Sequence, residues 1–431
     1  MPTSHTTQTD GVIEFSDAME SVVSNPTTGT VSPVVIFLSF FLLGAVLYFR
    51  RPSNVPPGPF IPFGLLFRRQ NAYINLTKFS HEYGPIYSFR LTGRMLTVVI
   101  NSASLVREAL VDQADIFSDR SVSGAVLLRN GGAKGSVLLG NGEEWKELRR
   151  FGSHALRSFG VGKRSLGRKI HEEARHLVNA ILSLKGNPFE SRTCHQAMRF
   201  QTLYAVSALE IDKGKVGDNG VIFDKSRVWR TIFDLFGAGT DTTSNSLLWL
   251  LPLCHYPDVQ KKMYEEITRV VGSEKFPVYE DRFDLPYTEA VILEVQRFRP
   301  VAPLVPHGAK QSTTLGGYHI PKGSRILVNL WATHHDPQEW KDPERFHPER
   351  FLDDNGNVIH PEAHTPFSMG RRICLGESLA KMELFLFLTC LVQRFRFFVP
   401  DGHELPSLNG IHGVTLSPVS YKICAEPIGL E

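Results

Sequence analysis

The 431-residue sequence is poor in cysteine: its 5 residues, Cys194, Cys254, Cys374, Cys390 and Cys424, are odd in number and far apart, with no C-x-x-C pair and no matching histidine spacing. A disulfide framework and a zinc finger are thereby excluded, and a reducing compartment fits best. Strong charge is missing too. With a net charge of +3 and no long basic run, nothing in the chain points to nucleic acid. No G-x-G-x-x-G follows a strand pattern, so the chain does not bind a nicotinamide dinucleotide by that fingerprint. Repeats and low-complexity tracts are also absent. What remains, 42% hydrophobic and 21% charged residues, describes a globular chain with a sizeable core.

Two local absences organise the N-terminus. Residues 1–32 contain no Lys or Arg but do carry Asp10, Glu14, Asp17 and Glu20, and read as a polar leader. Residues 33–49, PVVIFLSFFLLGAVLYF, contain no charge at all and stop at Arg50-Arg51, near the lower length limit for a membrane-spanning helix. No basic stretch precedes this run and no small-residue cleavage site follows it. It therefore reads as a retained anchor rather than a cleaved signal or a core helix. Because Arg50, Arg51, Arg68 and Arg69 lie after it, the leader is expected in the lumen and the remainder in the cytosol. Residues 50–64, with VPPGPFIPFG, form a stiff hinge. From 65 to 431 a single domain is expected, mainly α with small β-sheets. Helix signals cover Pro257–Gly272, with Val259, Met263, Ile267 and Val270 on one stripe, and Tyr287–Phe298. A β-like patch runs over Thr314–Thr333, with turns at Gly316-Gly317 and Pro321–Gly323.

Cys374 stands in FSMGRRICLG (367–376), just before the apolar helical run Glu377–Phe395. A helix N-terminus and the charges of Arg371 and Arg372 should favour a thiolate, and Gly370 and Gly376 should leave room for a flat group. The bland reading is a small cysteine in a turn. Elsewhere, Glu294 and Arg297 are spaced to pair on one helix face, and Trp145 and Arg149 stand one above the other. GAGTDTTS (237–244) interrupts an apolar run with poor helix formers and invites a kink. His334 and His335 lack a third ligand at useful spacing and read as turn residues.

The pattern F-x-x-G-x-R-x-C-x-G, filled by Phe367, Gly370, Arg372, Cys374 and Gly376, resembles the haem-thiolate loop of the cytochromes P450. The resemblance implies haem b (iron protoporphyrin IX) with Cys374 as axial ligand. It pairs the Glu294/Arg297 motif with Arg350 of a P-E-R-F segment as a brace for the cysteine loop. GAGTDTTS resembles the family's oxygen groove, with Ala238 and Gly239 beside the haem and Asp241 and Thr242 delivering protons. Trp145, Arg149 and Arg372, with Arg120 in FSDR and His307 in VPHG, become partners of the haem propionates, although a satisfied loop histidine stays open for His307. Val301, Ala302, Leu304, Val305, Ile411 and Val414 correspond to the apolar pocket lining.

In texture the chain resembles microsomal members that oxidise xenobiotics, steroids or fatty acids. These members sit in the endoplasmic reticulum membrane and draw electrons from NADPH-cytochrome P450 reductase, with cytochrome b5 as an accessory donor. Lys146, Arg149, Arg150, Arg371, Arg372 and Lys381 would offer the reductase a basic face. The chain departs from the pattern between Trp145 and Gly239, only 94 positions apart. There, residues 201–226 form a loop-like junction where the helices that roof the pocket are expected, so the fold should lack part of that roof. Two other functions remain: a reductase-independent isomerase or dehydratase, whose kind tends to lose the acid–alcohol pair present here, and a catalytically defective product that still binds haem.

Overall fold

The segment after Cys374 is apolar on every face, and all 12 residues of Met382–Gln393 are buried. Such a stretch is stable only as a helix surrounded by other helices. In the computed structural model, which describes residues 32–49, 54–59, 71–90, 95–121, 132–160, 164–191, 225–250 and 255–428, this is what surrounds it. The elements in chain order are α1 (Pro33–Phe49), α2 (Ala72–Tyr83), β1 (Ile86–Phe89), β2 (Thr97–Ile100), α3 (Ala103–Arg107), α4 (Ala114–Phe117), α5 (Gly142–Phe159), α6 (Arg164–Leu182), β3 (Phe189–Glu190), α7 (Lys225–Leu250), α8 (Pro257–Val271), α9 (Pro286–Phe298), β4 (Leu304–Gly308), β5 (Thr313–Leu315), β6 (Tyr318–Ile320), β7 (Arg325–Asn329), α10 (Leu330–His334), α11 (Glu377–Arg394), β8 (Phe395–Phe398), β9 (Gly410–His412), β10 (Leu416–Pro418) and β11 (Lys422–Pro427). Helix α11 packs against α6, α7, α8 and α9, and their apolar faces form the principal core.

The chain divides into two units, Met1–Ser53 and Asn54–Glu431. In the first, α1 is a 17-residue helix whose residues Val34–Leu38 and Phe40–Leu42 are exposed. Among the described residues no helix is long and apolar enough to cross a membrane. Most of the expected leader, Arg50, Arg51, Arg68, Arg69, most of the hinge, Cys194, Cys254 and residues 201–224 lie outside the described residues.

In the second unit a four-stranded sheet runs in the order β1-β2-β7-β4, with β2 and β7 parallel and the other pairs antiparallel. Every residue of β1 and β2 is buried, as continuous apolar runs require when both faces are covered. Helix α8 ends at Gly272, where φ is +86°, and its Met263 and Ile267 are fully buried on the expected stripe. The β patch is the hairpin β5–β6 plus β7, but its last residues belong to α10 rather than to a strand. Asn329 forces that change by accepting the amide of Ala332 as an N-cap.

Helix α7 is helical without interruption from Lys225 to Leu250, so the glycine–threonine tract does not break it. Thr242 Oγ1 instead donates to the carbonyl of Ala238 at 2.6 Å, the back-bonding that lets a hydroxyl residue sit inside a helix. The next residue, Thr243, donates from Oγ1 at 3.1 Å to Glu383 Oε2 of α11. Glu383 is buried, and loss of water pushes its carboxyl from 4.5 up to about 7, with the Thr243 bond acting the other way.

Because the folded pKa exceeds the unfolded one, the contribution of Glu383 to stability is full below about pH 4.5 and is lost as pH rises through about 7. The loss amounts to about 3 kcal/mol. Glu383→Gln should therefore lie closer to wild type at pH 5 and be more stable at pH 8. Urea midpoints at the two pH values measure this; an equal shift at both would refute it.

Candidate functional site

Cys374 is exposed, yet enough protein surrounds it that desolvation raises its thiol pKa above 9.0. Both statements hold for a sulfur that looks into a cleft. Its amide donates to Phe367 O at 3.0 Å, which closes the loop, and a hydrogen bond from the Gly376 backbone and the charge of Arg149 act to lower the thiol pKa. The expected thiolate bias from Arg371 and Arg372 is not found. Arg371 is claimed by Asp115 through contacts of 2.7 and 2.8 Å, and Arg372 is turned toward the cleft wall. Desolvation is the largest effect, and the net shift of the thiol is upward.

The two loop glycines serve different ends. At Gly370, with φ +71°, an added Cβ would meet Leu110 O at 1.8 Å, so this glycine admits the protein's own backbone rather than a flat ligand. At Gly376 an added Cβ would meet nothing within 4 Å, which is the open space expected of both.

One wall of the cleft is a cluster of cations. Trp145 and Arg149 project from α5, and the guanidinium of Arg372 stacks 3.5 Å over the Trp145 ring. Arg149 Nη2 donates to Ile373 O at 2.7 Å, next to the cysteine. Arg120 Nη1 donates to Pro306 O of β4, while His307, one residue along, donates from Nδ1 to Phe117 O at 2.9 Å. Burial, and then repulsion from its neighbours, pulls Arg120 down to about 10 and Arg372 down to about 9 from 12.5. Three arginines share the wall, with Asp119 as the carboxylate that acts on Arg372. Three buried polar atoms here have no hydrogen-bond partner: Trp145 Nε1, Arg372 Nη1 and His307 Nε2. Two of these, Trp145 Nε1 and Arg372 Nη1, are donors, and buried donors left open beside clustered cations mark a place for an anion.

Nothing in the local pattern marks Asn141. Placed before α5 it reads as an N-cap, but it makes no cap bond. Its Oδ1 accepts from Arg120 N at 2.6 Å and Arg372 Nη2 at 3.1 Å, and its Nδ2 donates to Arg120 O at 3.0 Å. It thus joins two arginines that would otherwise repel.

Behind the cysteine loop, Glu294 and Arg297 are fully buried and paired through two bonds of 2.7 and 2.9 Å. Arg350 Nε adds a contact of 3.2 Å to Glu294, and Arg350 Nη1 donates at 2.8 Å to Lys341 O. Arg297 Nη1 reaches His334 O at 2.7 Å, and His334 Nε2 in turn accepts the amide of Thr365 at 3.0 Å, two residues before Phe367. Burial holds the pKa of His334 well below 6.5, so it is neutral and free to accept. His334 and His335 are both buried, but His334 belongs to α10 whereas His335 lies in the turn just after it, so only His334 departs from the expected turn position. Their stacking on His364 and Trp331, respectively, is the local use of the rings.

On the other side, Ala238, Gly239, Asp241 and Thr242 are half-buried on α7. The hydroxyl of Thr415, in the hairpin β9–β10, donates to Asp241 Oδ2 and accepts from Asn245 Nδ2 at 3.2 Å. The hairpin that carries Ile411 and Val414 is therefore fastened to the helix at Asp241. Ile411 is 57% exposed and Val414 95% exposed, so Val414 lines no closed pocket. Val301, Ala302, Leu304 and Val305 are half-buried, and Val301 O accepts the Leu416 amide at 2.8 Å.

With this geometry in view, the comparison with known proteins is direct: the cytochrome P450 family model matches residues 52–208 and 203–425. The chain belongs to the cytochrome P450 family. It is 36% identical over 484 residues to human cytochrome P450 2J2, covering 90% of this chain and 95% of the human one. To human cytochrome P450 2U1 it is 34% identical over 492 residues, covering 87% and 89%. A zebrafish cytochrome P450 solved with progesterone superposes with a TM-score of 0.73 at 31% identity, over 83% of this chain and 99% of the other. Alignments of 484 and 492 residues exceed the 431 of this P450, so the relatives carry residues that it lacks. The family match comes in two pieces that overlap at 203–208, inside the short interval read as a junction. Like its relatives, this P450 is an oxygenating oxidoreductase of the haem-thiolate kind, and the family binds haem b through a cysteine thiolate.

Replacing Arg297 by leucine would leave Glu294 charged, fully buried and without its main partner. The expected loss is about 3–5 kcal/mol of stability. Lysine should rescue little of it, because an ammonium cannot supply the two parallel bonds. Denaturant titration of both variants is the check, and full rescue by lysine would show that charge alone matters.

Proposed function

We propose that this P450 is a membrane-anchored monooxygenase that inserts one atom of dioxygen into a C–H bond of an apolar substrate, using electrons from an NADPH-dependent reductase. The supporting observation is the pairing of Cys374 Sγ, open to a cleft, with unpartnered buried donors and three arginines on the cleft wall. A sulfur ligand for iron and a cationic seat for two carboxylates together describe haem b. When bound, haem supplies dioxygen activation, and electron donation from the thiolate favours O–O cleavage, as is general for cytochromes P450.

Trp145 Nε1 and Arg372 Nη1 would donate to the propionates, with Arg120 and Arg149 supplying charge. His307 differs. Burial holds its pKa well below 6.5, and its Nδ1 proton is committed to Phe117 O, so its neutral ring offers a lone pair at Nε2. It donates to a carboxylate only when doubly protonated, a state that a nearby anion favours. Phe367 and Gly376 would flank the ring, and Ala238 and Gly239 would face it from α7.

Asp241 and Thr242 would supply the protons. While Thr242 donates to Ala238 O its single proton is spoken for, so delivery requires its rotamer to change. Asp241, held by Thr415, keeps its second oxygen for water or for that hydroxyl.

The electron donor and the substrate follow from surface and pocket chemistry. Lys146, Arg150, Arg371 and Lys381 are each paired with a nearby carboxylate, at 2.5, 2.8, 2.7 and 2.7 Å. Exposed pairs of this kind are worth little, so a partner's acidic residues can replace them. NADPH-cytochrome P450 reductase, with cytochrome b5 as accessory donor, suits such a face. Val301, Ala302, Leu304 and Val305 favour a lipophilic xenobiotic, steroid or fatty acid, and the progesterone bound by the zebrafish protein supports a steroid-sized molecule.

For placement, α1 at about 26 Å approaches the thickness of the endoplasmic reticulum bilayer. Its exposed Val, Ile, Phe and Leu residues support an anchor at 33–49, between a luminal leader 1–32 and a hinge 50–64, with the 65–431 domain in the cytosol. A second reading, haem binding without turnover, is favoured by the exposure of Trp229 at 63%, Phe233 at 64% and Val414 at 95%.

Two measurements decide. Reduced protein under carbon monoxide should show the thiolate-type absorption band, and Cys374→Ser should abolish it; a band that survives the substitution refutes the ligand assignment. With reductase and a steroid or fatty-acid panel, Asp241→Asn should lower kcat by about 100-fold or more while leaving that band intact. Wild-type protein with the band but no turnover of any substrate would select the haem-binding reading.

A further inference from the structure

The apolar run IFDLF (232–236) of α7 contains one acid, Asp234, and it is buried. A carboxylate in such a place must be answered by nearby groups. Arg230, one turn back on the same helix, stands 3.4 Å from Oδ1. Oδ2 instead reaches off the helix, accepting the Ser136 hydroxyl at 2.5 Å and the Leu138 amide at 3.3 Å. Arg227 and Thr231 share this face of α7 and act on the same loop. Thr231 Oγ1 donates to Gly135 O at 3.4 Å, and Arg227 pairs at 3.5 Å with Glu144 of α5, which also accepts the Gly135 amide at 3.3 Å.

Ser136, fully buried, is the hub of that loop. While its hydroxyl donates to Asp234 it accepts the Leu139 amide at 2.9 Å, and its carbonyl accepts the Gly140 amide at 2.9 Å. The turn is tight enough that a Cβ on Gly140 would meet Ser136 O at 2.4 Å, so position 140 needs glycine for space. This turn ends on the cleft wall. Gly140 O accepts Arg372 Nη2 at 2.6 Å, and Asn141 Oδ1 accepts the same nitrogen at 3.1 Å. With Arg372 Nε held by Ser118 O at 2.6 Å, the open donor of this guanidinium is Nη1.

We propose that Asp234, acting through Ser136, is a positioning residue for Arg372: it fixes the turn whose carbonyl turns Arg372 Nη1 toward a haem propionate. The inference rests on the reading of the arginine wall as the propionate seat. It adds that α7, the helix of Asp241, also governs how firmly the pigment is held.

The test takes the full-length, haem-containing protein and reads the propionate-bending bands of its resonance Raman spectrum, which report hydrogen bonds to the propionate oxygens. The rate of haem transfer to excess apomyoglobin is the second measurement. Asp234→Ala and Ser136→Ala should each move the bands toward weaker hydrogen bonding and speed haem transfer by about tenfold, the loss of roughly one hydrogen bond. Ser136→Ala leaves the acid its Arg230 and Leu138 partners, so it carries the test if Asp234→Ala does not fold. The amide oxygen of Asp234→Asn still accepts from Ser136 and Leu138, and this variant should stay within about twofold of wild type. Faster transfer with unmoved bands would show a general loss of stability and overturn the proposal. So would an asparagine variant no better than alanine, which would assign the effect to the Arg230 pair. Wild-type bands equal to those of haem free in detergent would remove the propionate seat itself, and the proposal with it.

Discussion

Much of this molecule hangs on a carboxylate and a guanidinium that have both been taken fully out of water. Glu294 and Arg297 show no exposed side-chain surface, and a pair buried to that degree survives only if its remaining lone pairs and protons are satisfied. Here they are, by Arg350, the amide of His347, and the carbonyl of His334. The satisfaction is also directional. From His334 the connection passes to Thr365 and so into the loop that presents Cys374. A network this polar adds little net stability over an apolar filling of equal volume. It ties α9, α10, the PERF turn and the cysteine loop together through named bonds.

The cleft wall follows the opposite logic. Arg120, Arg149 and Arg372 repel one another in a buried setting, and Asn141 and the Trp145 ring only moderate the strain. Seats of this kind are costly when empty and gain strongly from an anion. Haem binding would therefore draw on two unrelated sources, the thiol of Cys374 as a ligand for the iron and the cation cluster as a seat for carboxylates.

Legibility in the sequence tracked how local each feature is. Helices α8 and α9, the buried run of α11 and the Gly316-Gly317 turn were readable because caps, prolines and apolar spacing act within a few residues. The cysteine loop was readable because its motif is contiguous. What could not be read depended on distant partners. Gly370 is glycine because of Leu110 far upstream, and Arg371 belongs to Asp115 rather than to its neighbouring cysteine. His334 looked like a turn residue because nothing nearby in sequence shows Thr365 beside it. The glycine–threonine tract of α7 kept its helix because Thr242 bonds backwards to Ala238, a choice that propensity alone does not reveal.

The tie between Asp241 and Thr415 spans 174 positions of chain. An acid on the central helix thus takes its orientation from a short hairpin near the opposite end of the polypeptide. Contacts this distant form late and slowly when a protein folds, since a long loop must close before the bond repays it. The hairpin and the cysteine loop, which is tied to Asp115, Ser118 and Gly140 across still longer separations, must both wait for closures of this kind.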